Sequence, residues 1–563
     1  MFAALLAALL LAGVAVVEFG LGEPAADPNV ILIVLDTVRA DQVGALGPSG
    51  LPITPFLDSL AKDGLVFTRA RSAANWTLPA HASMFTGLLP TEHGCHFEHR
   101  YLPEEAQTVA EILRDLDYIT AGFSANVNVS RAFNLDQGFD SFYETWSDET
   151  VQAGASPDAA IEARVAKWLK RPPQQPVFLF VNLMDAHLPY RAAPEFSEHH
   201  GRPAGAIDEE LLERPDFLDL VLAGQVEVDE ALRSALRLKY ANAISGLDAR
   251  LARLYAAFQR AGLLDHAVLI ITSDHGENLG DHGLVDHQAS LHETVLRVPL
   301  ILHGSALPDL PDLPDSGRIE TPVTTRSLFH WILDMQRNAF RPDLIGPRGL
   351  LVSEAQKPLA VLERLTTNWP DLDLDDLSRR GKAAVDESGR FKLIRYEGRP
   401  DRIRSLDETA AVPPGELERL GQALDKRLDA RRLVRESYRE EPPTETGISD
   451  ALKSLRRLGY LGGGGGEPAG GASIHAQEHL SRGVRAFARD DFETAKQEFL
   501  AATSISPAFA DAHFNLALVT DRLGGEDARE RWQNYLDTAL RGEDQDQASI
   551  QYAFERLERM GGR

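Results

Sequence analysis

Unbroken apolar runs alternate with runs of helical period along the first half of the chain. Val30 to Leu35 (VILIVL) has no polar position, the pattern of a strand buried on both faces. It stops at Asp36-Thr37. Thr54 to Arg69 predicts a helix and then a short strand. Thr108 to Asp117 predicts a second helix, and Tyr118 to Ala121 a strand that ends before Gly122. Pro176 to Met184 (PVFLFVNLM) is the next buried strand, and it stops at Asp185-Ala186-His187. Glu209 to Arg260 is mostly helical, with Leu232, Leu236, Tyr240, Ile244, Leu247, Leu251 and Leu254 at helical spacing. Ala267 to Thr272 (AVLIIT) is a third buried strand and stops at Ser273-Asp274-His275-Gly276. Val298 to Leu302 is a fourth, with Pro299 near its start and Gly304 after it.

Three of these strands read as central and parallel, and each ends on ionisable residues. In open α/β sheets, ligands bind outside the carboxyl ends of the strands. Asp36, Asp185, His187, Asp274 and His275 therefore converge on one edge. Asp and His are ligands of divalent metals. A single Asp at a strand end is ordinarily a cap or a turn residue; several together point to a metal-assisted site.

The stretch Asn75 to Gly87 (NWTLPAHASMFTG) adds a candidate nucleophile. Pro79 suits the first position of a helix and Gly87 its end. Thr77 then stands just before the helix N-terminus, where free N–H groups and the dipole favour anions. Its hydroxyl is either a helix cap or a nucleophile toward an anionic ester.

Beyond the apolar strands the pattern changes twice. Ala383 to Leu406 alternates like an antiparallel meander, with turn signals at Glu387-Ser388-Gly389 and Glu397-Gly398. Leu461 to Ser473 (LGGGGGEPAGGAS) is a flexible linker by composition. After it, Gly483, Ala495, Phe499, Ala502 and Pro507 fall at the spacing of a tetratricopeptide repeat. A second unit starts near Ala510 with Leu516 and Ala517, and Gln545 to Arg559 is a closing helix.

Composition narrows the function classes. The chain has 563 residues, more than one domain's worth, and a formal net charge of -26. That charge excludes broad binding to nucleic acid, but not an anionic small substrate held in a local field. Cys95 is the only cysteine, so neither internal disulfides nor cysteine metal clusters can form. Phe2 to Val17 is apolar and short for a membrane span, which suits a secretory signal or an N-terminal membrane anchor.

Taken in order, several segments resemble the sulfatase branch of the alkaline-phosphatase superfamily. They are NVILIVLDTVRAD, TPFLDSLAKDG, LPAHASMFTGLLPTEHG, FVNLMDAHLPY, TSDHGENLGDHGL and HETVLRVPL. RFKLIRY and LRRLGYLGG are similar to that family's C-terminal part. The resemblance implies an α/β core with a central, mostly parallel sheet between helices and a small C-terminal antiparallel subdomain. An all-α, repeat-like domain follows. The expected boundaries are a signal or anchor at 1–22, the catalytic core at 28–345 and its C-terminal subdomain at 346–460. The linker is 461–473 and the repeats 474–563.

The resemblance also implies roles. Asp36, Asp274 and His275 match ligands of a divalent metal (Mn, Zn, Ca or Mg), and Thr77 matches a nucleophile that also touches it. His187 and His287 match residues on either side of the transferred group. Asn126 lies where relatives place a substrate contact. His81 replaces an Arg that normally partners the nucleophile, so it joins the catalytic candidates. Asp185 reads as an orienting residue; Glu277, His282 and Arg39 read as supporting ones.

Four departures bear on the chemistry. Sulfatases of this branch carry Cys or Ser at the position of Thr77, converted to formylglycine, and Thr lacks the primary carbon for that conversion. His81 is not Arg. Thr37 replaces a second metal-binding Asp. Asn126 and Asn128 stand where a basic residue is usual. The expectation is a metal-dependent hydrolase or transferase acting on phosphate-type esters (phosphodiester, phosphonate or phosphoglycerol) through a covalent Thr77 intermediate. The alternatives are a sulfuric ester hydrolase, and a non-enzymatic scaffold acting through its repeats. The implied partners are an anionic ester and a protein or peptide at the repeats. The implied location is outside the cytoplasm, in the periplasm or beyond, with the N-terminal segment as a membrane attachment.

Overall fold

The computed structural model describes residues 27–435 and 492–539 apart from short breaks, and a few isolated residues beyond. The signal or anchor at 1–22, the glycine linker 461–473, Gly483 and most of 545–559 lie outside the described residues. Among the described residues, no helix is long and apolar enough to cross a membrane.

The centre is an eight-stranded sheet. Across it run Arg318–Ile319, Leu65–Phe67, Leu300–His303, Ala267–Thr272, Asn29–Leu35, Val177–Leu183, Ile119–Ser124 and Ser141–Glu144. The three runs expected as central strands are neighbours and pair in parallel, with Asn29–Leu35 in the middle. The run expected at Val298 begins instead at Leu300 and is antiparallel to both neighbours. Pro299 has no N–H to give to a ladder, which delays the strand.

Periodicity explains the middle strand. Ile31, Ile33 and Leu35 pack on one face against Leu236, Tyr240, Ile244 and Leu247 of the long helix Glu230–Arg260. Val30, Leu32 and Val34 pack on the other face with Leu78, Ala82, Met84 and Phe85 of the helix Thr77–Thr86. Each such side chain contributes about 1.5–3 kcal/mol on burial, so the register of this strand is firmly set. Val34 pairs with Thr272, and two residues beyond that pair on each strand stand Asp36 and Asp274. Leu35 pairs with Leu183, and the Asp36 N–H donates to the Leu183 carbonyl at 2.8 Å. The hydrophobic register thereby aligns all three strand ends.

The helix at Thr77 starts earlier than its sequence suggests. It spans Thr77–Thr86, so Pro79 is its third residue and Thr77 its first. Trp76 occupies the cap position, and no side chain caps this end. Thr77 is therefore not the cap. Gly87 closes the helix at φ 72, where glycine carries no Cβ penalty. All ten helix residues are buried.

The expected meander is part of a larger element. Leu351–Ala355, Gly381–Val385, Phe391–Tyr396 and Arg402–Ser405 form a four-stranded antiparallel sheet, whose first strand the turn signals do not announce. Gly389 and Gly398 take positive φ at its two turns. Lys392 is one of the residues that tie this sheet to the core. Lys392 Nζ lies 2.7 Å from Glu293, which Arg71 meets at 2.8 Å from the other side. Lys392 also donates to the Leu291 carbonyl, and so steadies the chain leading away from His287. In the C-terminal region, helices Phe492–Ile505, Ala510–Arg522 and Ala528–Ala539 pack successively. Ala495, Phe499, Ala502, Leu516 and Ala517 are fully buried there.

Candidate active site and metal centre

Asp36, Asp274 and His275 meet at the aligned strand ends, each fully buried, with potential ligand atoms within 4.8 Å of one another. Their orientation follows from the backbone around them. The Thr37 and His275 N–H groups both donate to Asp274 Oδ1, at 3.2 and 2.9 Å. That leaves Asp274 Oδ2 buried with no hydrogen-bond partner. Asp36 is held by one oxygen only: Asn126 Nδ2 donates to Oδ2 at 2.6 Å, and Oδ1 has no partner. His275 Nδ1 donates to the Gly276 carbonyl at 3.0 Å. This fixes the tautomer with a lone pair on Nε2, which sits 3.3 Å from Asp274 Oδ2.

These features fit a divalent cation. Two buried carboxylates each present an unpartnered oxygen, and a buried like-charge pair is unfavourable without a counter-charge. Burial, then the charge of Asp36, pushes the Asp274 carboxyl well above its ordinary range. Burial keeps His275 neutral, the form that binds metal, with its pKa well below the usual imidazole value. An ion at this point would meet two anionic oxygens and one imidazole nitrogen.

The Thr77 hydroxyl faces the same point. Its Oγ1 lies 3.4 Å from His275 Nε2 and 3.4 Å from Asn126 Nδ2. Asn126 thus spans Asp36 and Thr77, and its contact is with the candidate ligands rather than with open substrate space. The uncapped helix end leaves backbone N–H groups beside the hydroxyl, as suits an anion.

His81 sits one turn along the same helix, fully buried. Its Nδ1 donates to the Thr77 carbonyl at 2.9 Å and lies 3.7 Å from Asp274 Oδ2. Its ring packs edge-on against Phe85 and Phe180. Burial lowers its pKa to about 4. It stands behind Thr77 as a neutral ring, where an Arg would bring charge.

His287 and His187 flank the centre. The His287 ring is 4.2 Å from His275 and 5.4 Å from His187, centroid to centroid. Two carboxylates hold its Nδ1: Asp286 at 3.2 Å and Glu277 at 3.4 Å. Burial opposes its charge, but Asp286 and Glu277 outweigh that and raise its pKa to about 9. Its Nε2 is buried with no partner. His187 donates from Nδ1 to the Leu188 carbonyl at 2.8 Å. Asp185 stays out of the ligand set: Ser156 and Arg250 reach it at 2.9 and 3.0 Å.

Sequence reasoning missed Asp286 and the backbone role of Thr37. Both have positive φ, 62 and 59; the motif that holds Thr37 marks its side chain as a departure and not its N–H as a donor. The signal for Asp286 is only its adjacency to His287. Arg39 and Glu277 stand where expected, as supports. The Arg39 guanidinium binds the Glu277 carbonyl and Asp281, and so braces the loop that carries Asp274 and His275.

Comparison with known proteins follows this geometry. An ulvan-active sulfatase from Formosa agariphila is 25% identical over 328 residues, 54% of this chain and 61% of that protein. The chain thus spans less than two thirds of that relative's length. A multifunctional alkaline phosphatase superfamily protein, PehA, from Trinickia caryophylli is 23% identical over 348 residues, 49% of this chain and 68% of that one. Among solved structures, the phosphonate monoester hydrolase from Silicibacter pomeroyi superposes with a TM-score of 0.53 at 18% identity. The match covers 74% of this chain and all of that one. The phosphonate monoester hydrolase of Agrobacterium radiobacter gives 0.52 at 19% identity, covering 77% and 96%. At such identities the superpositions speak for the fold. The sulfatase family profile matches residues 28–335, more than half of the chain and all of the strand ends just described, and the chain belongs to the sulfatase family.

Proposed function

We propose that the chain is a metal-dependent hydrolase or transferase that cleaves phosphate-type esters through a covalent intermediate on Thr77. The observation that carries this reading is the Thr77 hydroxyl. It lies 3.4 Å from His275 Nε2, at an uncapped helix end, beside two unpartnered carboxylate oxygens. A divalent ion held by Asp36, Asp274 and His275, with Thr77 as a further oxygen donor, would acidify the hydroxyl and polarise the ester.

The residues supply the rest. Thr77 Oγ1 gives up its proton to solvent as the hydroxyl ionises, and forms a bond to phosphorus as the bond to the leaving oxygen breaks on the opposite side. His187 and His287 bracket the transferred group. His287, held by Asp286 and Glu277, brings positive charge and a free Nε2 to its oxygens. His187 gives the leaving alcohol its proton. Water or a second alcohol then takes the group from Thr77. Asn126 keeps Asp36 and the hydroxyl in line, and His81 backs the nucleophile without adding charge.

The phosphate preference rests on Thr77 itself. Oxidation of its secondary Cβ–OH cannot give the aldehyde of formylglycine, so the unmodified hydroxyl must act. The similarity to phosphonate monoester hydrolases and to the alkaline phosphatase superfamily protein PehA supports phosphorus chemistry. The second reading is sulfuric ester hydrolysis, which the names of several relatives favour. A panel of matched aryl phosphate, phosphodiester, phosphonate and sulfate esters, run with metal-reconstituted protein, separates the two. The expected order places a phosphorus ester first by at least about tenfold; a sulfate ester in first place would reverse the assignment, and turnover of none would favour a non-catalytic member.

The C-terminal helices are proposed as repeat units that dock a protein or peptide. Burial of Ala495, Phe499, Ala502, Leu516 and Ala517 between successive helices supports this. A chain ending at Tyr460 is expected to keep its rate on a small aryl ester. Loss of that rate in a folded truncation would place the repeats in the active site.

A further inference from the structure

A cavity of about 350 Å³ opens beside His187 and is not used by the chemistry above. Its wall includes Val127, Trp146, Val151, Met184, Leu188 and Pro189. Val127 follows Asn126, whose Nδ2 is 3.4 Å from the Thr77 hydroxyl. His187, in the same wall, has its ring 5.4 Å from that of His287. His187 is thus shared between the cavity and the centre, and it places the cavity on the side where His187 would protonate the leaving oxygen.

Several polar side chains in this wall are already engaged within the protein. Asp185 accepts from Ser156 and Arg250. The Thr145 hydroxyl donates to the Ala125 carbonyl at 3.4 Å, and His187 Nδ1 to Leu188. Arg191 also touches the cavity, but it is exposed and stays hydrated. A polyol placed here would meet Asp185 and Thr145 already bonded within the protein, and each hydroxyl left unpaired carries a direct cost. An apolar ring carries no such cost. The volume falls in the range of small-ligand pockets and suits one substituted ring.

We infer that this cavity receives the alcohol side of the ester and selects an apolar, ring-sized alcohol over a polyol. The inference rests on the ester-cleaving reading above and adds the class of alcohol to it. The pocket meets the leaving group and not the transferred group, so the preference should hold whichever ester is turned over.

The test uses the full chain loaded with metal and two alcohols of similar acidity, benzyl alcohol and glycerol. Each is presented as its phosphate, its methylphosphonate and its sulfate ester. The benzyl ester should exceed the glyceryl ester by at least about tenfold in kcat/KM, since single apolar groups in a fitted pocket discriminate at that level. Titration calorimetry with benzylphosphonate and 2,3-dihydroxypropylphosphonate should show the same order without turnover. Trp146→Ala should bring both ratios below about threefold. Val151→Asp, at a half-buried wall position, should do the same if the tryptophan variant fails to fold. Equal or glycerol-favoured ratios overturn the inference, as do ratios unchanged in a folded variant or no measurable binding of either phosphonate. If sulfate esters prove the better substrates yet benzyl is still preferred, the phosphate reading falls and the pocket stands. If phosphate esters react without a benzyl preference, only the pocket falls.

Discussion

Thr77→Ala should leave the fold and the metal content intact and lower kcat by a thousandfold or more. Removing a nucleophile that acts as part of a unit costs about that much or more, equivalent to roughly 4 kcal/mol of barrier. The fold should survive because the hydroxyl makes no cap bond to the helix, and the position is the first of ten buried residues. Its contacts, to His275 Nε2 and Asn126 Nδ2, are both long at 3.4 Å, so little hydrogen-bond energy is lost. Metal should remain, because Asp36, Asp274 and His275 keep their backbone and side-chain supports. The measurements are metal content, melting temperature and single-turnover kinetics. Mass spectrometry of quenched wild-type protein should find a phosphoryl or phosphonyl group on the peptide holding Thr77. A near wild-type rate in the metal-loaded mutant would remove Thr77 from the mechanism.

Asp274→Asn should weaken divalent-ion binding more than a hundredfold, beyond the 10–100-fold typical of losing only an outer partner of a ligand. Activity should fall with it. The stability effects should have opposite signs with and without metal. In metal-free protein, Asp36 and Asp274 are buried together with one unpartnered oxygen each. Replacing one carboxylate by an amide relieves the same repulsion that raises the Asp274 pKa, and should raise the melting temperature at pH values where the wild-type Asp274 is ionised. With metal in excess, the wild type gains stability as RT ln(1 + [L]/Kd) and the mutant gains little. The wild type should then melt higher. Calorimetric scans of both proteins, with chelator and with Mn²⁺ or Zn²⁺, read this crossing directly. Parallel shifts in both conditions would mean that Asp274 is not a ligand.

The legible parts of the fold were those with a one-dimensional code. VILIVL, PVFLFVNLM and AVLIIT have no polar face, so they had to lie inside a sheet covered on both sides, and each became a central strand. The ionisable residues that end them had to reach the carboxyl edge together, and register alignment of Val34 with Thr272 and Leu35 with Leu183 brought this about. The strand at Leu300–His303 was legible as a strand but not in direction, because apolar periodicity is the same read either way. Leu351–Ala355 was missed because its partner strand begins some 25 residues later, and pairing over that distance leaves no local turn signal.

At the site, residue types were readable and mutual orientation was not. The sequence alone indicated that Asp36, Asp185, His187, Asp274 and His275 stand at the carboxyl edge of the sheet, because burial of apolar runs dictates where strands end. It also settled that Thr77 cannot follow formylglycine chemistry, a matter of covalent structure. Tertiary structure decided what each group faces. It turned Asn126 from open space onto Asp36, and placed His81 behind Thr77 as a buried neutral ring. It also set Asp286, in a left-handed backbone conformation, against His287. Such assignments depend on side chains that meet from segments as much as 198 residues apart. Hydrogen-bond direction and desolvation act through space, and neither leaves a period or a spacing in the chain.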